Sequence, residues 1–357
     1  MKTFGEIIRS AREQFAWTLS DLSMRTGIDS AILSKIERSE RTATRKNVID
    51  LCVALSLPME STLSHWLSDK ILRDIGCDTI ALEALMVAEG KVKYRLSQRH
   101  AHAEGLSEEI KLKLAECDEL LVKWKSNRPL DIGQIRKMEE YFSVNYTYES
   151  NRIEGNTLTM QETHLVVNQG ITIGGKSMRE HLEAINHSEA IDYLYDLVAR
   201  RVDFNERVLK ELHHLVLKGI DRENAGKYRS VPVRIGGSSF VPAQPYLVPK
   251  LMEDVFIFYA ENRDIMHPVV LAAEMHERIV TVHPFIDGNG RTSRLVMNLI
   301  LLSHGYTIAN VKGDNASRLR YYTALEKCQT AHDKSAFTQL IAEATIDSLK
   351  EHLQMCG

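Results

Sequence analysis

Cysteine is scarce and scattered in this chain of 357 residues. Its five cysteines, Cys52, Cys77, Cys117, Cys328 and Cys356, form no Cys-x-x-Cys pair. That spacing argues against a disulfide framework or a thiolate zinc site, and for a reducing cytoplasm. A large charge of one sign is missing too. The formal net charge of -3 excludes a protein that coats nucleic acid along its whole length, and leaves room for a local basic face. No apolar run is long enough to span a bilayer, and the opening Met1 to Arg9 carries no signal-type core, so no membrane partner is expected. There is no internal repeat and no low-complexity tract. Alternating strand patterns are nearly absent. What is present, 44% hydrophobic and 26% charged residues, suits a soluble globular protein of one large or two to three smaller domains.

The spacing of apolar residues predicts a mainly helical chain. From Phe4 to about Leu67 the helices are short. Phe4, Ile7, Ile8 and Ala11 give the first, Thr18 caps a second that ends at Gly27, and Asp29 or Ser30 caps a third whose buried stripe is Ile32, Leu33 and Ile36. A fourth runs from Lys46 to Leu55, before Pro58. Helix, glycine, turn and helix at this size form a helix-turn-helix pattern. The stretch Asp69 to Gly105 is hard to read: Ile80, Leu82, Leu85 and Met86 suggest a helix, and Lys91 to His102 is basic. A clearer helix covers Leu106 to Trp124, closed by Pro129.

One string concentrates chemistry: His283-Pro-Phe-Ile-Asp-Gly-Asn-Gly-Arg-Thr-Ser-Arg294. Flanking apolar residues at helical spacing make it a helix, a tight loop and a second helix. The loop Gly288-Asn289-Gly290 opens that second helix, where unpaired N–H groups and the helix dipole attract anions. Arg291 and Arg294 lie three apart, on one face beside that anion hole. His283 titrates near neutrality and suits general-base work on a hydroxyl. Asp287 is a hard oxygen ligand, fit for a Mg²⁺ carried in by a polyphosphate. Phe285 anchors the loop in the core. His267, His276 and His283 are too widely spaced for one metal cluster, and His276 reads as a buried, hydrogen-bonded residue. Adjacent His213 and His214 face different ways. Glu183, Asn186 and His187 read as packing residues.

The string resembles the Fic-family motif, His-x-Phe-x-Asp/Glu-Gly-Asn-Gly-Arg-x-x-Arg, with every fixed position present. A second stretch, Tyr146-Thr-Tyr-Glu-Ser-Asn-Arg-Ile-Glu-Gly-Asn, places Ser150 four residues before Glu154 on one helix face, with Gly155-Asn156 ending the helix. Alone it could mark only a surface ion pair. It resembles the Fic inhibition motif, Ser/Thr-x-x-x-Glu-Gly/Asn. The resemblance covers roughly Leu106 to Leu353. It implies Mg²⁺- and ATP-dependent transfer of AMP to a Ser, Thr or Tyr hydroxyl of a protein (AMPylation), with His283 as base, Asp287 on Mg²⁺, Gly288, Asn289 and Gly290 as the anion hole, and Arg291 and Arg294 on the outer phosphates. It also implies a bidentate pair between Glu154 and Arg294 that displaces the γ-phosphate and keeps the enzyme off.

The segment Gly226 to Pro242 has the only strand alternation, at Val231, Val233 and Ile235, with a Gly236-Gly237 turn. This predicts a β-hairpin. In the family it is the flap that docks the target segment, so Ile235, Gly236, Gly237 and Ser238 would face the nucleotide. Tyr321, Tyr322 and Gln329 would line the adenine pocket.

The first sixty residues resemble the Xre/Cro/cI repressors through Phe4-Gly-Glu-Ile-Ile-Arg, Leu22-Ser-Met-Arg-Thr-Gly-Ile and Leu33-Ser-Lys-Ile-Glu-Arg. Leu19 and Ser39 depart from the usual Gln and Gly. The resemblance implies a five-helix domain that presents Ser30, Ala31, Ser34, Lys35 and Arg38 to double-stranded DNA, as a homodimer on a palindrome. The expected organisation is therefore 1–68 helix-turn-helix, 69–130 helical linker and 131–357 Fic domain, with the inhibitory helix at about 146–156, the flap at 230–242 and the motif at 283–294. Two other functions stay open at this point. One is removal of AMP with Glu154 orienting a water. The other is a transcription regulator whose Fic core only senses nucleotide. UMP, GMP or phosphocholine transfer is also open.

Overall fold

A computed structural model describes residues 3–76, 78–126 and 132–356; for 94–104, 132 and 134–136 only the backbone is described. Cys77, Pro129 and the side chains of the basic run at 94–102 lie outside the described residues. The described chain is helical, with no strand among the described residues. It forms two compact units, Met1–Lys93 and Tyr94–Gly357.

The first unit holds α1 (Phe4–Gln14), α2 (Leu19–Thr26), α3 (Ser30–Glu37), α4 (Arg45–Ala54) and α5 (Met59–Ile75), and the start of α6 (Ala81–Glu104). Local sequence sets the boundaries. Thr3 and Thr18 make capping boxes with Glu6 and Asp21, Asp29 caps α3, and Gly27 ends α2 in the left-handed region. Ile8, Leu22, Leu33, Ile36, Val48 and Leu51 meet in one apolar core. A part-buried ion pair joins α1 to α3: Arg12 Nε and Nη2 donate to the two carboxylate oxygens of Glu37 at 2.7 and 2.9 Å. The stretch that the sequence leaves hard to read, 69–105, is helical over most of its length, as the end of α5 and all of α6.

The second unit holds α7 (Glu108–Ser126), α8 (Ile132–Ile153), α9 (Met160–Gln169), α10 (Met178–Ala199), α11 (Glu206–Leu217), α12 (Val248–Asn262), α13 (Pro268–Val282), α14 (Asn289–Ser303), α15 (Asn315–Ala331) and α16 (Ser335–Gln354). α14 is the hub. It packs on α13, α10, α11 and α8, and Leu295, Val296, Met297, Leu299, Ile300 and Leu301 are all buried. A helix that is apolar all round has to be central. Its polar first turn therefore enters the core and must find partners there.

The expected β-hairpin is absent as a strand pair. The segment does turn at Gly236-Gly237, where Ser238 N–H donates to Ile235 C=O at 3.3 Å. Pro232 and Pro242 remove a donor from each arm. The arms are instead tied by Arg229, whose Nη1 donates to Val231 C=O at 3.1 Å and whose Nη2 donates to Ala243 C=O at 2.6 Å.

Candidate active site

The motif loop sits between α13 and α14. His283 caps α13 in the left-handed region at φ 51, an unusual conformation for a residue with a side chain. The surroundings hold it there. Its carbonyl accepts from Arg229 Nε at 2.7 Å, and the Pro284 carbonyl accepts from Arg229 N–H at 2.9 Å. The imidazole Nδ1 faces the Val280 carbonyl at 3.3 Å, which assigns the proton to Nδ1 and leaves the Nε2 lone pair free. Burial pushes the His283 imidazole below its ordinary value. The Val280 carbonyl opposes this, Arg229 reinforces it, and Glu154 and Asp287 oppose it.

Phe285 is fully buried and stacks on His213 at 3.6 Å between ring centres. His213 was not singled out as functional by its sequence context, yet it supports the loop from below. Its Nδ1 accepts from Gly226 N–H at 2.9 Å, so Nε2 carries the proton and donates to the Asp287 carbonyl at 2.9 Å. Burial lowers its pKa to about 4, so it stays neutral. Asn289 turns inward. Its amide accepts from Phe285 N–H at 3.0 Å and donates to Phe285 C=O at 2.9 Å. It therefore braces the loop, and its side chain is not aimed at an anion. Gly288, at φ 77, caps α14, and the first-turn amides after it have no intrahelical acceptor.

The two motif arginines have different surroundings. Arg291 is buried and turns toward carboxylates: Nη1 lies 3.3 Å from Glu183 Oε1 and Nη2 lies 3.5 Å from Asp287 Oδ1. Glu183 also accepts from Arg179 Nε at 3.1 Å and from Asn156 Nδ2 at 3.0 Å. Glu183 therefore joins the arginine to the segment that follows Glu154, more than the packing role read from its apolar scaffold. Asp287 Oδ1 accepts from Gly288 N–H and Oδ2 accepts from Arg179 Nη2, both at 2.6 Å. Burial favours its neutral form, but Arg291, Gly288 N–H and Arg179 outweigh it and hold the carboxyl below its usual range. Its side chain is 43% exposed.

Arg294 is fully buried at the end of α8. Nε donates to Ser150 Oγ at 3.0 Å, and Nη2 donates to Ser150 C=O at 2.9 Å and to Glu154 Oε1 at 2.7 Å. The carboxylate contact uses one oxygen, not the two expected; Ser150 and Tyr321 take three more of the arginine's donors. Burial alone would depress the guanidinium; Tyr321 and Glu154 raise it instead, so the charge is retained. Glu154 lies just past the end of α8, with Oε1 2.5 Å from where a Cβ on Gly290 would sit. Only glycine leaves room for that carboxylate over the first turn of α14.

A cleft of about 610 Å³ opens beside these groups, lined by Glu154, His283, Gly290, Tyr322 and Gln329 among others. Ile235, Gly236, Gly237 and Ser238 line it from the flap. The flap is pinned across it: Ser239 N–H and Oγ–H donate to Glu326 Oε1 on α15 at 3.2 and 2.8 Å. The structure thus brings nearly all the predicted nucleotide residues to one cleft, while Asp287 and Arg291 sit with Glu183 and Arg179. Tyr321 differs from expectation. It borders the cleft but is only 1% exposed, so its ring face is not available for a base to stack on. Tyr322, 41% exposed, is the aromatic with an open face.

In the first unit, Ser30, Ala31, Lys35 and Arg38 are exposed on α3 or its end and Ser34 is half-buried. Arg38 is engaged with Glu40, through contacts of 2.7 and 3.0 Å. Among the described residues no group of three His, Cys, Asp or Glu side chains could hold a metal, and no helix is long and apolar enough to cross a membrane.

Residues 203–301 match the Fic/DOC family model, and residues 8–61 match a helix-turn-helix model. The chain is similar to the protein adenylyltransferase Fic of Drosophila yakuba, 35% identical over 222 residues, which is 62% of this chain and 44% of that protein. The Drosophila melanogaster counterpart is 34% identical with the same coverage. The chain therefore spans under half the length of these curated relatives. Among solved structures, a Fic-domain-containing signaling protein from Bacteroides thetaiotaomicron is 28% identical, covers 68% of this chain and 97% of its own, and has a TM-score of 0.62. Fic-1 from C. elegans, 24% identical with 98% of both chains covered and a TM-score of 0.60, shares the fold. The chain thus pairs a Fic-like region at residues 203–301 with a helix-turn-helix-like region at residues 8–61.

Proposed function

We propose that the chain is a protein adenylyltransferase that moves AMP from ATP to a Ser, Thr or Tyr hydroxyl of a protein, and that Glu154 restrains it. The observation that carries this reading is the cleft lined by His283, by Gly290 of the first turn of α14 and by Glu154, whose carboxylate meets the buried Arg294 at 2.7 Å. His283 Nε2 accepts the proton of the incoming hydroxyl. The hydroxyl oxygen bonds to the α-phosphorus, the α–β bridging P–O bond breaks, and pyrophosphate leaves. The amides of the loop stabilise the phosphoryl oxygens, and Arg294 takes the outer phosphates once Glu154 withdraws.

Asp287 fits a cation that brings most of its own oxygen ligands. It is an ionised, part-exposed carboxylate outside any group of metal-ligating side chains among the described residues, which suits Mg²⁺ arriving with a polyphosphate. Bound there, Mg²⁺ would neutralise phosphate charge. This chain's part is to hold Asp287 in place through Gly288 N–H and His213.

Labelled ATP supplied to Glu154→Gly enzyme should mark protein, and the added His283→Ala change should abolish the mark. Equal labelling with and without His283 refutes it as the base. The position of Glu154 at the cleft favours a second reading, removal of AMP by a water that Glu154 orients. AMP-modified target that loses its label only when Glu154 is present would select it. We further propose that the first unit binds double-stranded DNA through α3, as a homodimer in the cytoplasm, because the exposed face of α3 carries Lys35 and Arg38.

A further inference from the structure

Arg294 has to change partners without changing place. Its side chain is wholly buried, and three of its four hydrogen bonds among the described residues go to the end of α8: Ser150 Oγ, Ser150 C=O and Glu154 Oε1. Those contacts belong to the element that must give way for a phosphate to enter. The fourth does not. Arg294 Nη1 donates to Tyr321 Oη at 3.2 Å, and Tyr321 stands on α15.

We propose that Tyr321, backed by His276, is the positioning residue that keeps Arg294 aimed at the cleft when Glu154 leaves it. The inference rests on the reading of Arg294 as the group that takes the outer phosphates of ATP. The hydrogen bonds have one consistent direction. A tyrosine hydroxyl has one hydrogen to donate. Oη accepts from Arg294, so its own hydrogen goes to His276 Nε2, 3.1 Å away on α13. His276 is then neutral, with its proton on Nδ1, a buried N–H that meets no acceptor among the described residues. Its surroundings agree: the ring is fully buried, and burial followed by the nearby Arg294 charge disfavours a second positive charge. The Tyr321 ring is held by Phe337 at 6.1 Å and, edge to face, by His276 at 5.8 Å. None of these supports lies on α8. The chain Arg294–Tyr321–His276 therefore spans α14, α15 and α13, and neither of its hydrogen bonds involves α8. This also accounts for a tyrosine that borders the cleft while exposing only 1% of its surface.

The test is calorimetric titration of the full-length protein with ATP, ADP and AMP, in a Glu154→Gly/His283→Ala background that prevents turnover. AMP lacks the outer phosphates and serves as the internal reference. Adding Tyr321→Phe should weaken ATP roughly tenfold, the scale of one hydrogen bond to a charged group, and leave AMP within about twofold. His276→Leu, which does not touch Arg294, should give a smaller loss of the same kind, and His276→Gln, which keeps an acceptor, should restore ATP binding. Should Tyr321→Phe unfold the protein, the His276 pair decides by the same criterion. Unchanged preference for ATP over AMP overturns the inference, as does an equal loss for both nucleotides. A background protein that already binds ATP no better than AMP refutes the phosphate role of Arg294 itself, which is a separate failure.

Discussion

Glu154→Gly removes a carboxylate that is 30% exposed from an arginine that is 1% exposed. The lost contact is one charge-assisted hydrogen bond of 2.7 Å in a mostly desolvated setting. Such a bond is worth about 1.5–3 kcal/mol. A phosphate that must first displace Glu154 faces that cost, which corresponds to roughly a ten- to hundredfold weaker productive complex. The carboxylate also covers Gly290, so an incoming phosphate meets its bulk and charge as well as its bond to Arg294. AMP incorporation from labelled ATP, at ATP well below saturation, should therefore rise ten- to hundredfold in Glu154→Gly. Glu154→Gln keeps the shape and weakens the bond, and should fall between the two. Wild-type protein labelling as fast as Glu154→Gly would show that the contact does not restrain the reaction. A full effect from Glu154→Gln would show that charge, not occupancy of the space, does the restraining.

His283, the proposed base, can accept a proton only when neutral, and burial lowers its pKa below the ordinary histidine value of about 6.5. The acid limb of log kcat/KM in Glu154→Gly should lie below that pH. It should lie lower than in wild type, because Glu154 is one of the groups that raise the imidazole; a limb at or above 6.5 refutes the assignment. His213→Ala deletes a buried ring with two hydrogen bonds and its stacking on Phe285, and should destabilise the second unit by about 3 kcal/mol. Calorimetry should show its thermal transition falling while that of the first unit stays. Breaking the part-buried Arg12–Glu37 pair by Arg12→Ala should cost the first unit about 1–3 kcal/mol, since the Glu37 oxygens lose both donors; an unchanged denaturant midpoint refutes this. Arg38→Ala should weaken DNA binding and reduce the log–log salt slope by about one in mobility-shift titrations; an unchanged slope means Arg38 contacts no phosphate.

The legible parts of this protein were those that local chemistry decides. Helix starts follow from Thr18, Asp29, Thr159 and Ser177, whose side chains accept the first free amides wherever the helix later packs. The motif string announces its loop because glycines at an α-helix start and an adjacent histidine are local requirements. The pairing of Glu154 with Arg294, expected from the resemblance, is present as a contact. The flap reads as a ladder because Val231, Val233 and Ile235 alternate, while the competitor for the Val231 carbonyl, Arg229, is visible only as one more charged residue in the sequence.

By itself, then, the sequence determined the helical class, the caps and the motif loop, since these depend on neighbours a few positions away. Tertiary structure decided the rest. It turned Asn289 inward, gave Arg291 to Glu183, buried Tyr321 against His276, and set His213 beneath the loop. Each of these contacts joins residues on different helices or on opposite sides of the motif loop. Each exists because α14 carries polar groups into an apolar core, where every buried donor has to find whichever acceptor the packing brings near.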